Sequence, residues 1–168
     1  PAMPEDVRWH FIGHLQTNKV RQIMPHVSLI HSIDSIRLLR IVDSEAARIG
    51  RTVDVLLQVH VAREETKFGF TPDELLAELP AQWQPADTSS VRVRGVMGMA
   101  SLTDDNSRIA ADFSEIARVF RELREGLFAG VATFDTISMG MSDDFGIAID
   151  AGSTMVRIGT DIFGAREY

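Results

Sequence analysis

Two donor-rich turns near the end of the chain carry the residues whose types suit them best for chemistry. Ser142 follows one apolar run, and Gly159-Thr160 follow a second run that ends in Arg157. Hydroxyl groups and backbone N–H groups donate hydrogen bonds to anions, and glycine allows an anion to approach the backbone closely. We therefore predict that the two turns form the halves of one cradle, which binds the phosphate group of a small cofactor.

The same turns also have a purely structural interpretation. Ser142 can be the N-cap of a following helix, with two aspartates in its first turn, and Gly159-Thr160 can be an ordinary turn at a strand end. Arg157 distinguishes the two interpretations, because an arginine within a buried apolar strand requires a defined partner. That partner is either a carboxylate on a neighbouring strand, or an anion or aromatic ring nitrogen at the site.

The composition restricts the classes of protein to which the chain can belong. With 168 residues, 45% of them hydrophobic, we expect one globular domain over residues 1–168. The net charge of −7 argues against a nucleic-acid partner or an anionic membrane surface. The chain has no cysteine, no apolar run long enough to cross a membrane and no signal peptide at its start. We therefore expect a cytoplasmic protein without disulfide bonds or thiolate metal sites.

Hydrophobic patterning predicts strands and helices in strict alternation. The apolar runs predict six strands, at residues 9–15, 27–33, 53–61, 91–99, 136–141 and 155–158. Helices are predicted between them, at residues 17–24, 36–49, from 71 onward, 104–127 and 143–151, with a short helix-prone tail after the last strand. Asp34 or Ser35 can cap the second helix, and Thr71 with Glu74 forms a capping signature for the third.

This alternation predicts an α/β fold with a parallel sheet covered by helices. A doubly wound sheet and a (β/α) barrel both fit the pattern. The barrel is favoured because the donor-rich turns follow the last two strands, which is where (β/α)8 barrels form phosphate sites. A full barrel has eight units and roughly 250 residues. We therefore expect a TIM-like (β/α)8 barrel of which this chain contains six units, with the first two strands missing.

Four segments resemble the YggS/PROSC family of pyridoxal-phosphate homeostasis proteins, and together they extend the resemblance over essentially the whole chain. They are WHFIGHLQTNKV (9–20), EETKFGF (64–70), VRGVMGM (93–99) and SMGMSDDFGIAIDAGSTMVRIGTDIFGAR (138–166). The resemblance implies an alanine-racemase-type barrel that binds pyridoxal 5′-phosphate. It also implies a monomeric protein of vitamin B6 and amino-acid homeostasis, without established catalytic turnover.

The resemblance assigns a role to each residue of the two turns. Ser142 would bind the phosphate through its hydroxyl, and the backbone N–H groups of Gly159 and Thr160 would complete the cradle. Arg157 would face the pyridine nitrogen, and Met141 would line the pocket. A cationic partner disfavours protonation of that nitrogen and makes the ring a weaker electron sink, which suits a carrier better than a fast catalyst.

The chain departs from the family pattern at the cofactor lysine. The family carries this lysine on the first barrel strand, in a V-S-K type motif, and neither this motif nor the F-G-E-N type motif that follows it is present. The only lysines are Lys19 and Lys67, and both match other parts of the family pattern. We therefore expect no catalytic residue in this chain, and a cradle that holds the cofactor, or a phosphate or sulfate ion, without a covalent bond.

Two enzyme classes remain as alternatives. A pyridoxal-phosphate-dependent amino-acid racemase of the same fold needs a lysine and an opposed acid/base residue, typically a tyrosine from a second domain. The only tyrosine is Tyr168. An unrelated phosphate-binding barrel enzyme, such as an aldolase or isomerase, needs a lysine or glutamate at a strand end, and Gln58 and His60 are poor substitutes.

The sequence also bears on metals and partners. His10 and His14 have zinc-like spacing, but they lie in a predicted strand without a third ligand, so we expect packed or solvent-tipped histidines and no metal site. Glu64-Glu65 form either a paired-carboxylate site or a solvated charge run. We expect a small-molecule cofactor as the main partner. Because an incomplete barrel exposes strand edges, we also expect either dimerisation, element swapping or cleavage from a longer folded chain.

Overall fold

The fold is a curved sheet with helices on its outer face. A computed structural model describes residues 3, 4, 6–62 and 68–164. Its strands are β1 (Trp9–Phe11), β2 (Val27–Ile33), β3 (Val53–His60), β4 (Val91–Met99), β5 (Thr136–Met141) and β6 (Met155–Arg157). Its helices are α1 (Val20–Ile23), α2 (Ile36–Arg48), α3 (Leu79–Gln82), α4 (Asn106–Glu125), α5 (Phe145–Asp150) and α6 (Thr160–Phe163). Every neighbouring pair of strands is parallel, in the order β1 to β6.

The helices pack on the sheet through the apolar stripes that the sequence predicts. In α2 the buried side chains include Leu39, Val42 and Ala46. The longest helix, α4, buries the predicted stripe from Ile109 to Leu123. These side chains form one continuous core with the outward-facing residues of the strands. Burial of this apolar surface is the main force that holds the helices on the sheet. No helix in the described part of the chain is long and apolar enough to cross a membrane.

Capping side chains begin the helices as predicted. The Ser35 hydroxyl accepts a hydrogen bond from the Leu38 N–H at 3.2 Å, so Ser35 is the cap of α2. Thr71 and Glu74 form a reciprocal capping box, in which each side chain accepts the backbone N–H of the other residue. The helix that follows begins at Pro72, contains a π-helical stretch at Glu74–Glu78 and continues as α3. Pro80, the second residue of α3, has no N–H to donate to the preceding turn, which favours this wider turn.

Two element ends differ from the predictions, one at the edge of the sheet and one at a helix cap. The first strand is only three residues long, because β1 is an edge strand that pairs with β2 alone. Helix α4 begins at Asn106 rather than at residue 104, because the Asp105 carboxylate accepts the N–H groups of Ser107 and Arg108.

The sheet is curved strongly enough to form part of a barrel. β2 and β5 are separated by two strands, so in a flat sheet they would lie roughly 14 Å apart. Nevertheless, Nδ1 of His31 on β2 lies 3.0 Å from Oγ of Ser138 on β5. The two side chains meet on the concave face, which is therefore the interior of a partly closed barrel. This confirms the predicted six-unit (β/α) barrel architecture.

The interior of the barrel is layered from one end to the other. At the N-terminal ends of the strands, Asp54 accepts hydrogen bonds from Arg92 and Arg94, and Arg94 also pairs with Asp135. Above this ion-pair network lies a small apolar cluster of Leu29, Leu56, Met97 and Met155. The next layer is polar and contains His31 and Ser138. Among the described residues, a polar layer without ion pairs thus lies toward the C-terminal ends of the strands, whereas the charged side chains at the N-terminal ends pair with one another.

Candidate functional site

The structure brings the two donor-rich turns into direct contact. Met141, the last residue of β5, is the register partner of Arg157, the last residue of β6. The Ser142 hydroxyl, one residue beyond β5, accepts a hydrogen bond from the backbone N–H of Asp161 at 3.3 Å. Asp161 lies in the first turn of α6, directly after Gly159-Thr160. Parallel pairing of β5 and β6 therefore places the five predicted site residues at one edge of the sheet.

Two backbone N–H groups in the turn after β6 form no hydrogen bond with the described residues. Within the described ranges, neither the Gly159 N–H nor the Thr160 N–H donates to an acceptor. The φ of Gly159 is −122°, outside the left-handed region that favours glycine, and a Cβ placed there would have no atom within 4 Å. The protein is therefore open on the side of Gly159 where a side chain would stand, next to these two donors.

The capping interpretation of Ser142 is wrong. Helix α5 begins at Phe145, and Ser142 to Asp144 form a turn before it rather than its first turn. The Asp144 carboxylate stabilises this turn, because it accepts the N–H of Met141 at 2.6 Å. The Ser142 hydroxyl is bound to the turn after β6 instead.

Arg157 has no carboxylate partner in the described part of the chain. Its Nη1 donates to the Ser138 carbonyl at 2.9 Å and to the Ser138 hydroxyl at 3.0 Å. Its Nη2 donates to the Gly98 carbonyl at 3.1 Å. Burial lowers the pKa of Arg157, and the negative charge of Asp144 acts in the opposite direction. The first alternative for its partner, a carboxylate on a neighbouring strand, is therefore wrong for the residues described.

Arg157 keeps donors for a ligand. A guanidinium has five N–H groups. Three of them make the bonds to Ser138 and Gly98. The Nε–H and one N–H of Nη2 have no acceptor among the described residues. A partly buried cation with unused donors is a site for an anion or for a ring nitrogen that accepts a hydrogen bond.

A pair of histidines extends this polar layer across the barrel. His31 is 1% exposed, and its Nδ1 lies 3.0 Å from the Ser138 hydroxyl. Its Nε2 lies 3.1 Å from Nδ1 of His10 on β1. Burial, together with the nearby His10 and Arg157, lowers the pKa of His31 to about 3. His31 is therefore neutral at physiological pH.

Sequence reasoning missed this histidine–serine pair. His31 and Ser138 each sit as polar residues inside largely apolar strands, VSLIHSI and TISMGM. The same signal, a polar residue within an apolar run, had already singled out Arg157. Applied to every strand, it would have found both residues, although not their contact.

A cavity of about 730 Å³ opens beside the site, at the C-terminal ends of β3, β4 and β5. Its lining includes Gln58, His60, Met99 and Met141. Met141 thus belongs both to this cavity and to the strand end that carries Ser142. A compartment of this size accommodates a cofactor-sized molecule at the mouth of the barrel.

The remaining candidate residues lie elsewhere. Lys19 is exposed, in a 3-10 turn before α1, on the outside of the sheet. Lys67, Glu64-Glu65 and Tyr168 lie outside the described residues. His14 pairs with Asp34 at 3.3 Å. No group of three potential metal ligands occurs in the part of the chain that the structure describes.

The match to a known family defines the class of the protein. Residues 3–167 match the sequence profile of the family described as "Alanine racemase, N-terminal domain". The match agrees with the curved parallel sheet and with donor groups at the ends of its last two strands. The chain is therefore an alanine-racemase-type barrel domain.

Close relatives narrow the class. The pyridoxal phosphate homeostasis protein of Escherichia coli K12 is 42% identical over 169 residues, which are 96% of this chain and 66% of that protein. The protein of the same name from Pasteurella multocida is 36% identical, over 96% of this chain and 67% of its own length. PipY from Synechococcus elongatus, solved with PLP bound, aligns with a TM-score of 0.83 at 34% identity, over 95% of this chain and 71% of PipY. The chain belongs to the family of pyridoxal phosphate homeostasis proteins, and it spans about two thirds of the length of these two curated relatives.

Proposed function

We propose that this chain binds pyridoxal 5′-phosphate and serves vitamin B6 and amino-acid homeostasis as a carrier-like protein, with residues 1–168 forming one cofactor-binding barrel domain. The observation that carries the proposal is Arg157, a partly buried cation with unused donors and no carboxylate partner among the described residues. The bound PLP of PipY, a relative at 34% identity, supports the choice of ligand.

The residues present fit the phosphate and the ring nitrogen of the cofactor. The N–H groups of Gly159 and Thr160 and the hydroxyl of Ser142 would hold the phosphate, which accepts several hydrogen bonds at once. Arg157 would donate to the pyridine nitrogen, and Met141 would provide apolar contact beside it. The long side chain of Arg157 starts next to Met141 on the neighbouring strand, so one edge of the sheet supplies both polar contacts.

The cationic Arg157 also decides the electronic state of a bound ring. Pyridoxal phosphate supplies an electron sink for carbanion chemistry, and this sink is strongest when the pyridine nitrogen is protonated. A guanidinium cannot accept a proton, and its charge disfavours a second cation beside it. Arg157 therefore keeps the ring nitrogen unprotonated, in agreement with a carrier rather than a catalyst.

The residues that the structure describes do not fit a covalent bond to the cofactor. Lys19 is exposed on the outside of the sheet, and the site residues named above include no lysine. The same feature weighs against a racemase, which needs a lysine and an opposed acid/base residue. We therefore propose non-covalent binding without turnover, in a cytoplasmic protein. The open edges of β1 and β6 allow self-association.

Titration with pyridoxal phosphate tests this function directly. We expect saturable binding in the visible spectrum, with no stoichiometric gain in intact mass after borohydride reduction, because no lysine lies among the site residues. A stoichiometric reduced adduct on Lys19 or Lys67 would contradict non-covalent binding. If neither pyridoxal phosphate nor inorganic phosphate bound, the proposed site would be wrong.

Replacing Gly159 by alanine tests the cradle without disturbing the fold. The φ of Gly159 lies outside the left-handed region that favours glycine, and the added Cβ meets no atom within 4 Å. We expect an unchanged melting temperature but about a tenfold weaker affinity for pyridoxal phosphate, equivalent to about 1.4 kcal/mol, because the methyl group occupies open space beside the two N–H groups. Gly13→Ala is the matched control, since a Cβ at Gly13 also meets nothing within 4 Å. Equal affinities for the two variants would place the phosphate elsewhere.

A further inference from the structure

A continuous chain of hydrogen bonds runs from Arg157 across the barrel. It passes from Arg157 on β6 to Ser138 on β5, then to His31 on β2 and finally to His10 on β1. Each link is between 3.0 and 3.1 Å long. His31 and Ser138 are almost fully buried, while His10 is exposed. The chain thus connects the guanidinium of the proposed site to the surface at the opposite edge of the sheet.

The direction of these hydrogen bonds follows from the chemistry of the groups. Arg157 can only donate, so the Ser138 hydroxyl oxygen accepts from it. Neutral His31 has one N–H, which is on either Nε2 or Nδ1. If Nδ1 carried it, the buried hydroxyl hydrogen of Ser138 would have no acceptor in the described part of the chain. Buried polar hydrogens are almost always bonded, so Ser138 donates to Nδ1 and His31 donates from Nε2 to His10.

This arrangement restricts the guanidinium of Arg157. The Ser138 hydroxyl can present its lone pair to Arg157 only while its own hydrogen has an acceptor, and Nδ1 of His31 is that acceptor. A protonated His31 would carry N–H groups on both nitrogens and could not fill this role, but the lowered pKa of His31 keeps the ring neutral. Removal of the imidazole would leave the hydroxyl free to rotate toward another acceptor.

We infer that His31 is a positioning residue, which acts through Ser138 to orient Arg157 toward the ring nitrogen of the bound cofactor. The inference rests on the proposed function and adds a residue that contacts neither the phosphate nor the ring. His31 sits three strands away from Ser138 in sheet order, so only the curvature of the barrel makes the contact. His10 forms the outer end of the chain and holds Nε2 of His31.

The test compares two ligands in matched variants by calorimetry. One ligand is pyridoxal phosphate, and the other is its analogue with CH in place of the ring nitrogen. For His31→Leu we expect about a tenfold loss of affinity for pyridoxal phosphate and less than a twofold change for the analogue, because only the first ligand uses Arg157. His31→Asn keeps an acceptor near the Nδ1 position and should recover most of the loss. Ser32→Ala is the control, since Ser32 is equally buried on the same strand and its hydroxyl has no partner among the described residues.

The outcomes separate positioning from simple packing. Equal losses for both ligands in His31→Leu would reduce its role to structural support and overturn the inference, as would affinities equal to those of wild type. If the wild-type chain binds neither ligand, the proposed function fails, and ¹⁵N NMR of the arginine side chains decides without a ligand. There we expect slow guanidinium rotation for Arg157 in wild type and faster rotation in His31→Leu. The same rotation rate in both would overturn the inference.

Discussion

Replacement of Gly95 by alanine is expected to destabilise the protein by about 4 kcal/mol or more, at the upper end of single-residue effects. Gly95 lies in β4 with a φ of +151°, a conformation that L side chains rarely adopt. A Cβ at this position would lie 1.8 Å from the carbonyl oxygen and 2.7 Å from the carbonyl carbon of Thr136. Thr136 is the register partner of Gly95 on β5, so the clash is with backbone that cannot rotate away. Urea denaturation monitored by far-UV circular dichroism measures the change in the free energy of unfolding.

Gly146→Ala is the matched control for this prediction. Gly146 lies in α5, and a Cβ there meets no atom within 4 Å. Alanine is the better helix former, so we expect a change between zero and a gain of about 1 kcal/mol. If the free energy of unfolding of Gly95→Ala were within 1 kcal/mol of the wild-type value, the close approach of β4 and β5 at this position would be wrong.

The double variant Ser142→Ala/Arg157→Ala is expected to weaken the binding of pyridoxal phosphate by about three orders of magnitude. Hydrogen bonds to charged groups each contribute about 1.5–3 kcal/mol, and the variant removes one from the phosphate and one from the ring nitrogen. Loss of the hydroxyl also removes the bond to the Asp161 N–H that joins the two turns. Spectroscopic titration of wild type and variant under identical salt conditions gives the two dissociation constants.

Arg92→Ala serves as the control for the loss of an arginine. Arg92 is a half-exposed residue at the opposite end of the barrel interior, where it pairs with Asp54. We expect its affinity for pyridoxal phosphate to equal that of wild type. If the double variant bound pyridoxal phosphate within threefold of the wild-type affinity, at an unchanged melting temperature, Ser142 and Arg157 would not be part of the binding site.

Much of the fold could be predicted from the sequence, because helix caps and apolar stripes depend on residues that are close together in the chain. The capping box of Thr71 and Glu74 and the cap at Ser35 involve residues three positions apart, and both form as predicted. The apolar stripes of α2 and α4 arise from helical periodicity in the same way. The candidate site could be predicted from the sequence for a related reason, since parallel strands bring all their C-terminal ends to one edge.

The parts that sequence could not provide depend on curvature and close approach. His31 and Ser138 are 107 positions apart and touch only because the sheet is strongly curved. The role of Gly95 depends on the distance between two backbones, and the register change next to it has no local signature. The alternative interpretation of Ser142 as a helix cap is wrong for the same reason, because its hydroxyl finds a partner in a turn that only the paired strands bring near.

If pyridoxal phosphate is held by both turns as proposed, the bond between Ser142 and Asp161 couples its binding to the order of the last unit, β6 and α6. No residue of β6 or α6 is fully buried, so this unit gains little from the core and opens at low cost. A ligand held by both turns binds only while the unit is closed, and each tenfold excess over its dissociation constant adds about 1.4 kcal/mol to closure. The concentration of free pyridoxal phosphate would then set how often the backbone amides of β6 and α6 exchange with solvent. It would also set how readily a protease cleaves this segment.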